Sequence, residues 1–149
     1  MLPYEIHIMT SNLGLLAESV FSSQCIARGL AVAIPMASES PYDRLVDTGE
    51  RIIKVQIKGT DSLQTNSRKY RIKLTPSSGA AYRAEDVDVF AGWIKSLNIW
   101  LLVPFAEAPN TLHIPEDPFL FNRGDWVSNW KIFAETPRQA QRGELGSAE

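Results

Sequence analysis

The sequence predicts a single α/β (α+β) domain, because one segment with helical periodicity is followed by several short segments that alternate like β-strands. The chain has 149 residues, of which 44% are hydrophobic and 21% charged. This is enough apolar material for one domain with its own core. We expect that domain to cover residues 1–135, and residues 136–149 to form a flexible C-terminal tail.

The first predicted element is a helix over residues 12–28. Asn12 is a suitable N-cap, apolar residues then recur at helical spacing, and Gly29 ends the pattern. Glu18 lies one step from the centre of the apolar stripe, at the edge of the face that should be buried. Its carboxylate could therefore reach toward a neighbouring sheet.

A buried strand over residues 30–35 and a β-hairpin are predicted next. The hairpin strands, residues 42–47 and 51–58, flank the dipeptide Thr48-Gly49, which suits a two-residue turn. If that turn is closed by the residues on either side of it, Asp43 lies opposite Lys54 and diagonal to Gln56.

The second hairpin strand alternates between two kinds of side chain. One face carries Ile53, Val55 and Ile57, which should point to the core. The other carries the polar residues Lys54, Gln56 and Lys58. Asp43, Gln56 and Lys58 are thus predicted to share one face, provided that the register holds.

Three further strands are predicted downstream, over residues 70–74, 87–94 and 99–105, with the last two forming a hairpin. An alternative is a helix over residues 84–96, because acidic residues would suit its first turn. Asp125 could cap a short helix over residues 126–133. The tryptophans Trp93, Trp126 and Trp130 fit a core role better than an oligomer interface.

Composition excludes several classes of protein. The single cysteine, Cys25, cannot form a disulfide within the chain or supply a thiolate zinc site, and it is expected to be buried. No apolar run approaches the length of a membrane span, and no secretion signal is visible at the N-terminus. We therefore expect a cytoplasmic protein without a membrane partner.

Charge is distributed unevenly along the chain. The formal net charge of −2 is unusual for a DNA-binding protein. However, residues 51–73 contain one acid, Asp61, and seven basic residues: Arg51, Lys54, Lys58, Arg68, Lys69, Arg71 and Lys73. This segment could bind a phosphate backbone, or it could be an exposed hairpin whose edges are protected by charge.

Four polar residues combine the chemistry that phosphodiester hydrolysis requires. Asp43, the side-chain oxygen of Gln56, the main-chain carbonyl of Ile57 and Glu18 offer the hard oxygen ligands that magnesium prefers. Lys58 could orient a water or stabilise developing charge. Each residue taken alone is better explained by an ordinary turn or surface position, so the prediction depends on their combination.

The order of these residues resembles the PD-(D/E)XK nuclease superfamily. It is similar in particular to the branch of homing endonucleases encoded within group I introns, where Gln commonly replaces the acid before x-Lys. The supporting runs are Gly14-Leu15-Leu16-Ala17-Glu18, Ser40-Pro41-Tyr42-Asp43, Val55-Gln56-Ile57-Lys58-Gly59-Thr60 and Asp88-Val89-Phe90-Ala91 followed by Trp100-Leu101-Leu102-Val103-Pro104.

The resemblance implies a restriction-endonuclease-like core, with a central mixed β-sheet flanked by helices. It implies double-strand DNA cleavage that depends on Mg²⁺, with Mn²⁺ able to substitute, in a prokaryotic or phage-like cytoplasm. The implied catalytic residues are Glu18, Asp43, Gln56 and Lys58; the implied metal ligands are Asp43, Gln56, Ile57 and Glu18.

The chain is short for a long DNA target, so we expect a homo-oligomer, a dimer or tetramer. DNA contacts are expected from Arg51, Lys54, Arg68, Lys69, Arg71 and Lys73. Two alternatives remain open at this point. One is a structure-specific nuclease resembling a Holliday junction resolvase, and the other is a catalytically inactive DNA-binding or interaction domain.

Overall fold

The computed structural model describes residues 3–76 and 79–134, with side chains from residue 12 onward. Within these ranges the chain forms one α-helix and seven strands. They are α1 (Pro3–Ala27), β1 (Ala31–Ala33), β2 (Arg44–Asp47), β3 (Ile52–Thr60), β4 (Lys69–Lys73), β5 (Val89–Ile94), β6 (Ile99–Pro104) and β7 (Thr111–Pro115). The predicted C-terminal tail lies outside the described residues.

The strands form two sheets. The main sheet has the order β1-β2-β3-β5-β6. Its β3–β5 pair is parallel and its other pairs are antiparallel. Strands β4 and β7 form a separate antiparallel pair, which we call the ribbon. The predicted α+β class with a central mixed sheet is therefore confirmed.

Different elements cover the two faces of the main sheet. On one face, α1 packs Phe21 and Cys25 against Val55 and Ile57 in a fully apolar cluster, which confirms the predicted core face of β3. The other face is covered by the ribbon. Gly92 allows this close approach, because a Cβ there would lie 3.1 Å from the Ile72 side chain.

The helix α1 begins at Pro3 rather than after Asn12, so the predicted N-cap is wrong. Proline suits the first turn of a helix, where its missing N–H needs no partner. Asn12 instead lies exposed within the helix. The predicted end is confirmed: Gly29 adopts a φ of +79° and its amide bonds to the carbonyl of Ile26.

The β2–β3 connection is longer than predicted, since Asp47 pairs with Ile52 and leaves residues 48–51 in the turn. The Asp47 carboxylate accepts from Gly49 N at 2.8 Å, and the Thr48 hydroxyl accepts from Arg51 N at 3.2 Å. The register is displaced by two residues, and the paired ladder ends at Arg44 opposite Val55, so Asp43 lies just outside it rather than opposite Lys54. An even displacement preserves the face on which each side chain lies.

The C-terminal half contains the predicted hairpin but neither of the two helices that the sequence suggested. The β5–β6 hairpin is confirmed, and the alternative helix over 84–96 is wrong. The predicted helix over 126–133 is also wrong, because that region contains two short 3₁₀ turns separated by Ser128 in a left-handed conformation. Trp93, Trp126 and Trp130 all pack in the two cores, as expected.

Candidate functional site

The backbone of β3 fixes the Asp43 carboxylate. Asp43 lies just before β2, where its amide donates to the carbonyl of Val55 at 2.9 Å. Its Oδ2 atom accepts a hydrogen bond from the amide of Ile57 at 2.8 Å. A side chain thus continues the β2–β3 ladder by one step, which holds the carboxylate beside the Ile57 peptide.

Glu18 reaches this carboxylate from α1. Burial raises the pKa of Glu18, and so does the charge of Asp43, which lies within hydrogen-bonding reach. Burial also raises the pKa of Asp43, although the Ile57 amide and the charge of Lys58 oppose that shift. Two partly desolvated carboxyl groups therefore lie side by side, an arrangement that a bound cation would relieve.

Arg44 supports the acidic pair, and the sequence prediction did not include it. Its side chain is nearly buried, with Nη1 3.9 Å from the Glu18 carboxylate. Its Nε donates to the Ser22 hydroxyl on α1 at 2.9 Å, and its Nη1 donates to the carbonyl of Asp43 at 2.7 Å. Arg44 therefore ties the helix to β2 at the level of the site. In the sequence, the feature that could have pointed to Arg44 was its position directly after Asp43.

Gln56 and Lys58 lie on the same face of β3. Asp43 lies outside the paired ladder, with its amide bonded to the carbonyl of Val55. Gln56 is only 8% exposed, although a solvent-facing side chain was expected. It is covered because its neighbour in the parallel ladder is Phe90, on the face against which the ribbon packs. Lys58 is half-buried and lowers the pKa of Asp43.

Tyr82 is a second residue near the site that the prediction missed. Its ring packs against Phe90 at a centroid distance of 5.7 Å. Burial raises the pKa of the Tyr82 phenol, and the charge of Asp43 raises it further. The hydroxyl is therefore protonated at neutral pH and available as a donor. Tyr82 precedes β5 in an irregular segment, so no periodicity pointed to it.

Two other acids in this part of the sheet, Asp88 and Asp47, have structural partners. The Asp88 carboxylate accepts from the amide of Lys54 at 2.8 Å, where β5 begins to pair with β3. Asp47 belongs to the hairpin turn. Both side chains are occupied by backbone hydrogen bonds that shape the sheet.

The acidic pair opens into a small cleft of about 130 Å³. Glu18, Asp43 and Arg44 form one wall, and the loop after β1 forms the other. A larger cleft of about 620 Å³ lies along α1, near Leu13 and Lys95, and contains none of the four predicted catalytic residues. Size therefore does not identify the site, whereas the grouping of titratable residues does.

The donor set suits a hard divalent cation. Glu18 and Asp43 supply adjacent carboxylate oxygens, and Gln56 and the Ile57 carbonyl are the neutral oxygens that the sequence prediction adds to them. In the part of the chain that the structure describes, no group of three or more His, Cys, Asp and Glu side chains could hold a metal. The two-carboxylate site fits Mg²⁺ or Mn²⁺ when other oxygens complete the coordination, and it offers no nitrogen or sulfur ligands for zinc.

The six basic residues predicted to contact DNA fall in separate places. Arg68 forms a bidentate ion pair with Glu116 at 2.7 Å, and Lys54 donates to the carbonyl of Glu85. Arg51 lies at the end of the β2–β3 turn. The remaining three, Lys69, Arg71 and Lys73, lie exposed on the ribbon.

Comparison with known proteins agrees with this geometry. Residues 8–119 match the model of the PD-(D/E)XK endonuclease family, so the chain belongs to that family. The predicted family is therefore confirmed, and the protein is a nuclease. Nucleases of this family act on DNA and usually use divalent metal ions.

A solved structure shares the fold. The bacterial homing endonuclease I-Ssp6803I superposes with a TM-score of 0.72, covering 89% of this chain and 97% of that one at 18% identity. This similarity confirms the restriction-endonuclease-like fold. No curated protein sequence matches the chain. No helix among the described residues is long and apolar enough to cross a membrane.

Proposed function

We propose that this protein is an Mg²⁺-dependent endonuclease that hydrolyses double-stranded DNA at specific sequences, as homing endonucleases do. The observation that carries the proposal is the Glu18–Asp43 pair, with Lys58 beside it on the strand face shared with Gln56. The family match and the description of the structural neighbour as a bacterial homing endonuclease support it.

In this proposal Asp43, Glu18, Gln56 and the Ile57 carbonyl hold the metal ion. The bound cation supplies charge neutralisation at the phosphoryl oxygens and activation of a water molecule. Asp43 is the central ligand, because the Ile57 amide fixes one of its oxygens and its carboxylate lies beside that of Glu18. Arg44 acts as a positioning residue, since its contacts are with Glu18, Ser22 and the Asp43 carbonyl.

Lys58 has a different role. Its positive charge lowers the pKa of Asp43, and in this proposal its ammonium group acts on the scissile phosphate beside the bound metal ion. A lysine there can hold the attacking water in line or donate to a phosphoryl oxygen as negative charge develops. The lysine ammonium group has three N–H donors and no fixed plane. It can therefore adjust its hydrogen bonds as negative charge develops on the phosphoryl oxygens.

Gln56 distinguishes this site from those of the wider superfamily. An amide oxygen in place of a carboxylate leaves the ligand set less negative, so we expect weak metal binding in the free protein. Phosphate oxygens of bound DNA would complete the coordination and restore affinity. Metal binding and DNA binding should therefore strengthen each other, as linked equilibria must.

We further propose that the protein acts as a homo-oligomer in a prokaryotic or phage-like cytoplasm. A single 149-residue chain covers little duplex. Two symmetry-related copies would bind two half-sites and place one active site on each strand. The bacterial origin of the structural neighbour favours the prokaryotic setting.

The test is incubation of the protein with a plasmid library and Mg²⁺. Wild type should cut a defined set of duplex sites, and Asp43→Ala and Lys58→Ala should cut none while retaining their circular dichroism spectra. Asp61→Asn and Lys131→Ala, matched changes at exposed positions away from the site, should cut like wild type. Equal cutting by Asp43→Ala would refute the metal site.

The same assay, extended to four-way junctions, separates the two alternative functions. Cutting of junctions without sequence preference would favour a resolvase-like enzyme, which the shared fold also permits. Binding of DNA without cleavage in Mg²⁺ or Mn²⁺ would favour an inactive DNA-binding domain. Either result would replace the homing-type proposal.

A further inference from the structure

We propose that the ribbon of β4 and β7 enters the major groove of the DNA duplex and supplies contacts that set affinity and base preference. This inference rests on the proposed function, because it assumes that duplex DNA is the substrate. In this proposal the active site contacts only the DNA backbone near the cut, so it cannot recognise bases. The ribbon takes that role in the major groove.

The ribbon has one buried face and one exposed face. Along β4, Tyr70 and Ile72 point into the core, while Lys69, Arg71 and Lys73 are exposed. Strand β7 follows the same alternation, with His113 exposed between two buried residues. The cationic side chains thus project from a rigid two-stranded platform rather than from a loop.

The residues across the ribbon do not neutralise this charge. Arg71 pairs with His113, Lys73 with Thr111 and Lys69 with Pro115, so no acid lies opposite any of the three. Among the described residues, none of these three cations forms an ion pair. Like charges on alternate residues of one strand repel each other. The chain has more acidic than basic residues that could have offset this repulsion. Such an arrangement is expected where an external anion supplies the missing charge.

Arg68, unlike the three exposed cations of β4, forms an ion pair within the protein. Its guanidinium is held by both oxygens of Glu116, which follows the last residue of β7. Arg68 therefore closes the far end of the ribbon instead of presenting a free cation. The predicted basic stretch thus divides into a structural part and a part that is free to bind DNA.

The ribbon also has a defined position relative to the active site. Leu74, directly after β4, borders a cavity together with Tyr82 and Phe90, and Phe90 is the ladder neighbour of Gln56. At the other end of β4, the Tyr70 hydroxyl lies 3.5 Å from Ser96, beyond the end of β5. Lys73 is therefore near the level of the site, and Lys69 lies further along the duplex.

The dimensions of the ribbon suit B-form DNA. Four residue steps of a strand span roughly 14 Å, which equals about four base-pair steps of 3.4 Å. The major groove, about 12 Å wide, admits a two-stranded β-ribbon. In this placement the central Arg71 reaches base edges, where arginine bonds guanine in bidentate fashion, and Lys69 and Lys73 contact flanking phosphates.

The first test measures equilibrium binding to a mixed-sequence 40-base-pair duplex without divalent metal, over a series of NaCl concentrations. The double variant Lys69→Gln/Lys73→Gln should lower the slope of log K against log salt by about 2, because each lost phosphate contact removes roughly 0.9. The control double variant Arg28→Gln/Lys131→Gln removes equal charge on the α1 side of the sheet. It should keep the wild-type slope.

The second test concerns base preference. Arg71→Gln should relax selection at one base pair by tenfold or more, measured by sequencing the ends cut from a randomised plasmid library. The control variant Arg28→Gln/Lys131→Gln should keep the wild-type base preference in the same library.

The outcomes separate this inference from the proposed function. An unchanged salt slope and affinity in the Lys69→Gln/Lys73→Gln protein would overturn the ribbon assignment even if wild type cuts DNA. Absence of duplex binding by wild type would overturn it as well. A wild type that binds DNA through the ribbon but cuts nothing would refute the nuclease proposal and leave the ribbon assignment standing.

Discussion

At the scale of single residues, the acidic pair of Asp43 and Glu18 is the centre of the candidate site. That they form one site with Gln56 and Lys58 was a prediction from the sequence, because each residue belongs to a locally recognisable motif. The structure brings Glu18, Asp43 and Lys58 together. Arg44 and Tyr82 could not be predicted to join them, because their roles depend on contacts with residues distant in sequence.

The raised pKa values of the acidic pair predict how stability depends on pH. Acids whose pKa is higher in the folded state than their ordinary value near 4 favour the folded state when protonated. That contribution is lost as the pH rises from about 4 through the raised folded pKa values. In the absence of metal, the free energy of unfolding should therefore fall across this window.

Asp43→Asn tests this linkage. Asparagine can still accept the Ile57 amide through its side-chain oxygen, so the hydrogen bond is kept while the charge is removed. We expect the variant to be at least as stable as wild type at pH 7, with a smaller loss of stability between pH 4 and pH 7. Urea unfolding at several pH values measures this. The same pH slope in both proteins would contradict the shifts described for the pair.

Gln56→Glu adds a third carboxylate to the site. We expect tighter Mg²⁺ or Mn²⁺ binding by titration calorimetry and an upward shift in the pH at which cleavage begins, because a further charge stabilises the protonated forms of its neighbours. Gln64→Glu, in the loop before β4, is the matched control and should change neither quantity. Metal affinity and pH profile like those of wild type would show that position 56 is not a ligand.

At the scale of secondary structure, local periodicity predicted most of the elements. The core face of β3 followed from the alternation of its apolar residues, and the β5–β6 hairpin from its β-branched and aromatic residues, both of which are local properties. The hairpin register was wrong by two residues, since the side chains of Asp47 and Thr48 accept hydrogen bonds from backbone amides and stabilise a four-residue turn. Strand β7 was missed because its five residues end in Pro115 and pair with β4 about 40 residues earlier.

The packing of the ribbon against the main sheet depends on Gly92. Any Cβ at position 92, including that of valine, would lie 3.1 Å from the Ile72 side chain. The two methyl groups of valine would extend further. Gly92→Val should therefore lower the free energy of unfolding by roughly 1–3 kcal/mol, as measured in urea.

Gly14 provides the control for this prediction. It lies exposed in α1, and a Cβ added there would meet no atom within 4 Å, so Gly14→Ala should stabilise the protein by up to about 1 kcal/mol. If Gly92→Val were as stable as wild type, the ribbon would not pack as closely as the structure indicates.

At the scale of the whole molecule, overall charge was a poor guide and charge distribution a better one. A net charge of −2 argues against DNA binding, yet the exposed cations of β4 lie together on one surface. The sequence could predict that basic residues cluster along the chain. It could not show which of them have partners within the protein, because Arg68 meets the Glu116 carboxylate, and Lys54 the main-chain carbonyl of Glu85, only in the folded structure.

Oligomeric state is the second property of the whole molecule. Because one chain covers only part of a long target, the species bound to a cleaved duplex should contain at least two copies. Sedimentation of the Asp43→Asn protein on a duplex identified by cleavage, with the DNA mass known, measures the number. A complex with one chain per duplex would contradict the proposed half-site arrangement.

Single-turnover cleavage in Mg²⁺ tests the central claim most directly. Wild type and Asp43→Asn would be compared on one duplex, at protein concentrations that saturate binding of both. The Glu18–Asp43 site predicts that Asp43→Asn binds the duplex but cuts it at least 10²-fold more slowly, in keeping with the loss of a central electrostatic group, whereas Asp61→Asn cuts at the wild-type rate. Cleavage by Asp43→Asn at the wild-type rate, or cleavage by wild type that persists in excess chelator, would contradict a metal-dependent nuclease site at Asp43.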